Sequence, residues 1–117
     1  MSTINVFVPT RILSSANAPD LLAWIRDNLD ADRHHLLINL KNILFMDSTG
    51  LTALITAHKM VSEVGGRLGI CGLNGQARML FEMTSMERVF EIYETMAEFE
   101  QAIAPVDAPI TPENVPI

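Results

Sequence analysis

Apolar and polar positions change their period several times along this chain, and each change marks an element. Ile4 to Val8 alternate and stop at Pro9, the pattern of a short strand at a sheet edge. Arg11, Ile12 and Leu13 form a second short extended stretch that ends in a turn. Asn17 is suited to cap a helix, with Pro19 in its first turn and Asp20 at the third position. That helix runs to about Leu29, because Ala18, Leu21, Leu22, Ile25 and Leu29 fall on one face. Trp24 lies at the edge of this stripe, as a core flank or a contact residue. His34 to Leu40 is apolar almost without interruption, which predicts a central strand buried on both faces.

Ile43, Leu44 and Phe45 continue in extended form to a polar turn, Asp47-Ser48-Thr49-Gly50. A second helix follows, from about Thr49 to Val64. Its inner face carries Ala53, Leu54, Ala57, Met60, Val61 and Val64, and Thr52, Thr56, Lys59 and Glu63 face water. Leu51 and Ile55 drift towards the outer side, close to Ser48, either as flank packing or as a patch for a partner. Gly65-Gly66 ends the helix. Arg67 to Cys71 is the next strand, Gln76 to Met83 a short helix with Ala77, Leu80 and Phe81 inward, and Val89 to Tyr93 a last strand. Thr95 and Glu98 have capping-box spacing and open a final helix through Phe99 and Ile103. Alternating strands and helices predict one α/β domain over residues 1–104: a mixed sheet of about four to five strands with about four helices packed against it. Pro105, Pro109, Pro112 and Pro116 then crowd residues 105–117 into an extended, proline-rich tail.

Composition narrows the possible functions. A chain of 117 residues with 49% apolar content has enough material for a real core. A net charge of −6 opposes direct nucleic-acid binding and attraction to an anionic membrane surface. No apolar run has the length of a membrane span, and the start has no signal-peptide pattern, so the expected location is cytoplasmic. One cysteine, Cys71, gives no internal disulfide and reads as a small buried residue.

Few residues have the spacing of catalytic machinery. There is no G-x-S-x-G elbow around Ser48. His34 and His35 are adjacent in a strand and point to opposite faces, so they do not chelate one metal together. His58 lies roughly 15 Å along its helix from Ser48, at about 1.5 Å per residue. No glycine pattern matches a phosphate loop or a dinucleotide fingerprint, and the sequence calls for no cofactor and no metal. What remains is the turn itself. Asp47 or Ser48 serves as a helix cap, or Ser48 is a phosphorylation site. A phosphate at that helix start would meet free N–H groups and a favourable dipole, so the domain would tolerate it while a carboxylate-bearing partner would not.

The order of elements, and Phe45-Met46-Asp47-Ser48-Thr49-Gly50-Leu51 in particular, resembles the STAS domain family and, within it, bacterial anti-sigma factor antagonists. Gly65-Gly66-Arg67-Leu68, Leu80-Phe81-Glu82-Met83-Thr84 and Phe90-Glu91-Ile92-Tyr93 add to the likeness, which covers about residues 4–104. The resemblance implies a non-catalytic binding protein. Its partners would be an anti-sigma factor that is itself a serine kinase acting on Ser48, and a phosphatase that removes the phosphate. Asp47 and Thr49 would complete the switch loop with Gly50, and Leu51, Thr52 and Ile55 would touch the partner. The alternative within the family is a scaffold or accessory subunit of another assembly, a stress-signalling complex or a lipid transporter, in which Ser48 is only a cap. The chain departs from the family where Thr10-Arg11-Ile12-Leu13 replaces Gly-Arg-Leu-Asp, and where Thr84-Ser85-Met86 replaces Thr-Gly-Leu.

Overall fold

The computed structural model describes residues 4–107. The elements follow in the order β1 (Asn5–Phe7), β2 (Arg11–Leu13), α1 (Ala18–Asp30), β3 (His35–Asn39), β4 (Ile43–Met46), α2 (Ser48–Glu63), β5 (Arg67–Cys71), α3 (Gly75–Met83), one 3-10 turn (Met86–Arg88), β6 (Glu91–Tyr93) and α4 (Met96–Asp107). The expected α/β class with four helices is observed. The sheet differs from the expected mixed one. Strands β1-β3-β5-β6 form a four-stranded sheet whose pairs are all parallel, and β2 pairs with β4, also in parallel, as a separate two-stranded ribbon.

The ribbon is an extension of the sheet's first pair. β1 and β2 run beside β3 and β4, with Asn5 opposite Leu36 and Leu13 opposite Met46. The β3–β4 arm is the longer one, and the register shifts between Arg11 and Ile12. Arg11 absorbs the shift in the left-handed region, at φ 70°, which a residue with a side chain adopts only at a cost. Its N–H still reaches the Asn42 carbonyl at 2.9 Å.

Each crossover moves one strand further in the same direction, from β1 through α1 to β3, through α2 to β5, and through α3 to β6. Right-handed connections therefore put α1, α2 and α3 on one face. The packing agrees: Leu21, Ile25, Leu54, Ala57, Val61, Ala77 and Phe81 share a core with Leu36, Ile38, Leu68 and Ile70. α4 is the helix that covers the opposite face among the described residues, where Phe99 and Ile103 pack on Leu37 and Cys71. β3 is thus buried on both faces, with Leu36 and Ile38 on one side and Leu37 on the other, as its continuous apolar run predicts. Gly69 forms the seat of α4, because a Cβ there would lie 2.6 Å from the Phe99 ring. Among the described residues the strand order runs in one direction without reversing.

A latch of charge ties α4 to this face. Arg67 donates to both carboxylate oxygens of Glu91 and, through Nη1, to the Ala102 carbonyl at 3.3 Å. Tyr93 donates its hydroxyl to Glu91 at 2.8 Å. Burial pushes the Glu91 carboxyl up, but the hydrogen bonds from Arg67 and Tyr93 and the Arg67 charge outweigh it and hold the group below the usual carboxylate range.

Several local expectations change. Asn17 does not cap α1 with its side chain; it folds back, its amide donating to the Ile12 carbonyl and its Oδ1 accepting from Ser14 N. Trp24 is a core flank and stacks at a tilt on Phe7, with ring centroids 5.3 Å apart. Val64 is the C-cap of α2, one residue past its last helical turn, and is half-exposed. β6 begins only at Glu91, since the 3-10 turn takes up the preceding residues. Thr95 Oγ1 accepts from Glu98 N at 3.3 Å, one arm of the expected capping box. α4 continues to Asp107, past the break expected at Ala104, and the rest of the tail, 108–117, lies outside the described residues.

Candidate functional site

β4 ends and α2 begins within one residue, so the four-residue turn is held by both elements. Asp47 is the N-cap, in extended conformation, and its Oδ1 accepts from Gly50 N at 2.8 Å. Its backbone carbonyl accepts the first helical bond, from Leu51 N, at 3.0 Å. Thr52 Oγ1 donates to the Ser48 carbonyl at 2.8 Å and tightens the first turn. Capping is therefore done by Asp47, and Ser48 is the first helical residue. Ser48 and Thr49 are exposed, and among the described residues neither hydroxyl has a hydrogen-bond partner. An oxygen there sits at the positive end of a sixteen-residue helix and is open to solvent.

Gly50 explains how the helix start comes so close to the ribbon. A Cβ on Gly50 would lie 2.1 Å from the Leu13 carbonyl oxygen, which also accepts from Asp47 N at 3.3 Å. The end of β2 thus lies directly against the first turn of α2. This contact overturns the placement of Leu51. The helical drift puts it towards solvent, but the close approach of β2 buries it to 6% exposure, within the main core. Thr52 and Ile55 remain at the surface, Ile55 at 38% exposure.

The apolar surface that Leu51 does not provide comes from the ribbon. Ile12 and Phe45 are cross-strand partners and are 48% and 47% exposed, and Leu44 is 74% exposed. By its pattern, Ile43 to Phe45 is an apolar extended stretch; in the structure β4 projects beyond the main sheet, and the polar turn Lys41-Asn42, which separates β4 from β3, is the signal for this in the sequence. From the other side, the side chain of Gln76 in α3 holds the backbone of Met46, with Met46 N donating to Oε1 at 2.8 Å and Nε2 donating to the Met46 carbonyl at 2.9 Å. The remaining candidates stay apart from this turn. His58 faces the Phe90 ring edge-on, His34 lies 3.9 Å from Asp32, and Cys71 is buried under α4, where burial pushes its thiol up. No helix among the described residues is long and apolar enough to cross a membrane.

The fold is a one-directional parallel sheet with a serine displayed at the start of its second helix. Residues 3–99 match the STAS domain, and the chain belongs to the STAS domain family. Among its relatives, an anti-sigma F factor antagonist of Paenibacillus polymyxa is 32% identical over 60 residues, 51% of each chain. An anti-sigma-B factor antagonist of Bacillus subtilis is 37% identical over 57 residues, 49% of this chain and 52% of that one. The match therefore spans about half the length of these relatives. Among solved structures, the anti-sigma factor antagonist SpoIIAA in its unphosphorylated form superposes with a TM-score of 0.67 at 19% identity, over 93% of this chain and 96% of that one. A sulfate transporter family protein from Wolinella succinogenes gives 0.77 at 11% identity, over 92% and 93%. At these identities the structures show the shared fold.

Proposed function

We propose that this protein is an anti-sigma factor antagonist switched by phosphorylation of Ser48. Unphosphorylated, the Asp47–Gly50 turn, with Thr52, Ile55 and the Ile12–Phe45 pair beside it, binds an anti-sigma factor that is also a serine kinase, and so frees a sigma factor. A phosphate on Ser48 adds roughly −1.5 to −2 charge at the centre of that surface and ends the complex. A phosphatase restores the binding form, and the domain itself catalyses nothing.

One observation carries this reading. Asp47 does the capping, so the Ser48 hydroxyl is exposed, without a partner, at a helix N-terminus. The cap-only alternative requires Ser48 to be used by the fold. The names of the relatives supply the class of partner. The test is binding of a purified serine-kinase anti-sigma factor from the same cells to wild type, Ser48→Ala and Ser48→Asp. Wild type and Ser48→Ala bind alike, and Ser48→Asp binds at least about tenfold more weakly at an unchanged melting temperature. Equal affinity of all three would exclude the switch and leave the scaffold role.

A further inference from the structure

The peptide bonds on either side of Met46 and Asp47 are gripped from opposite directions. In a strand, the N–H and C=O of one residue point to the same side, and those of the next residue to the other. Asp47 N points to β2 and reaches the Leu13 carbonyl at 3.3 Å. The backbone N–H and C=O of Met46 therefore face away from β2, towards a side on which, among the described residues, β4 has no neighbouring strand. The amide of Gln76 occupies that side. It carries a carbonyl oxygen and an NH2 group side by side, and it uses the oxygen to accept from Met46 N at 2.8 Å and one N–H to donate to the Met46 carbonyl at 2.9 Å, as an added strand would. Ala77, the next residue, is buried in the core and fixes the first turn of α3, so the Gln76 side chain starts from a rigid base.

We infer that Gln76 is the positioning residue of the Ser48 turn: by clamping the Met46 peptide against the pull of Leu13, it sets the direction in which Asp47 enters α2 and so fixes Ser48 as the residue presented. This rests on the Ser48 reading for its consequence, but the clamp is measurable without any partner. The Asp47 carboxylate caps Gly50 N only while the Asp47 backbone is held in its extended conformation. With the clamp lost, the end of β4 is held from the β2 side alone, and the last bond there, from Asp47 N to the Leu13 carbonyl, is a long one at 3.3 Å. The turn then slips between placements that present Ser48 or Thr49.

The test uses the full chain, labelled for NMR. In the wild type, a through-hydrogen-bond coupling joins the Met46 amide nitrogen to the side-chain carbonyl carbon of Gln76; its absence would overturn the clamp without any variant. Gln76→Met keeps the length and the helix preference but takes neither bond. In Gln76→Met the Met46 and Gly50 amides exchange about tenfold faster or more, while Ile38 and Ile70 in the central strands exchange as before. Acceleration of all four together would show a general stabilising role, and an unchanged Gly50 amide would show a bond that only fills a strand edge; either overturns the inference. With the serine kinase of the binding experiment, phosphate on Gln76→Met is shared between Ser48 and Thr49, where the wild type carries it on Ser48. A wild-type partition retained by the variant counts against the inference. A wild type that is never phosphorylated counts against the Ser48 reading alone, and the amide measurements still decide the clamp.

Discussion

Replacing Gly50 by alanine sets two rules against each other. By helix preference alone, Gly→Ala inside α2 would stabilise by about 1 kcal/mol. The structure reverses the sign. The new Cβ would sit 2.1 Å from the Leu13 oxygen and 2.7 Å from its carbonyl carbon, both backbone atoms that no side-chain rotation moves. Carbon contacts are comfortable near about 3.5 Å, so α2 and β2 must part by about 1 Å or more. That separation strains the bond from Asp47 N to the same Leu13 oxygen, worth about 1 kcal/mol, and loosens packing around the buried Leu51. Overpacking of this kind costs about 1–3 kcal/mol. The net expectation is a loss of about 1–3 kcal/mol, a fall in melting temperature of about 5–20 °C for a domain of this size. Thermal unfolding followed by circular dichroism reads this directly. Thr56→Ala, at an exposed position of the same helix, is the control and gains a few tenths of a kcal/mol. A Gly50→Ala protein that melts at or above the wild-type temperature would refute the close approach of β2 to α2.

Three further outcomes are expected. Glu91 has a folded-state pKa below its unfolded value of about 4.3, so its stabilisation is complete above that value and is lost as the pH falls through the folded pKa; chemical unfolding between pH 6 and 3 should show a flatter acid limb in Glu91→Gln than in wild type. Arg11→Gly relieves the left-handed backbone at φ 70° and should raise stability by up to about 1 kcal/mol in a urea titration, whereas a loss would mean that the Arg11 side chain has a role the backbone does not reveal. Phe45→Ser should weaken the anti-sigma complex while shifting the melting temperature by a few degrees at most, since Phe45 is already half in water; unchanged affinity would take the ribbon out of the partner surface.

What could be read from the sequence was local or periodic. The nearly continuous apolar run of Leu36, Leu37, Ile38 and Leu40 announced a strand buried on both sides, and the stripe of Leu21 and Ile25 announced the face of α1. The Asp47 turn could be found because a cap, two hydroxyls and a glycine stand together between a strand pattern and a helix pattern. Most of the failures involve contacts between distant segments. Leu51 is buried because β2 comes against Gly50, and nothing in the period of α2 encodes that neighbour. The parallel course of β1–β2 beside β3–β4 depends on pairing across α1, so the sequence offered a mixed sheet where a parallel one forms. Gln76 looked like an ordinary first-turn residue, because its partner Met46 lies thirty positions earlier in the chain. Asn17 has the residue type of a cap but spends its amide on Ile12 and Ser14, a choice made by the turn that precedes it.

Mass spectrometry of the protein isolated from its own cells under two growth conditions tests the central claim most directly. The account predicts one phosphate, on Ser48, whose occupancy changes with the condition, and an unmodified fraction that is the one found bound to an anti-sigma factor. Complete coverage of the Ser48 peptide with no phosphate under conditions in which the anti-sigma complex forms and dissociates would contradict it, as would a phosphorylated form that remains in the complex.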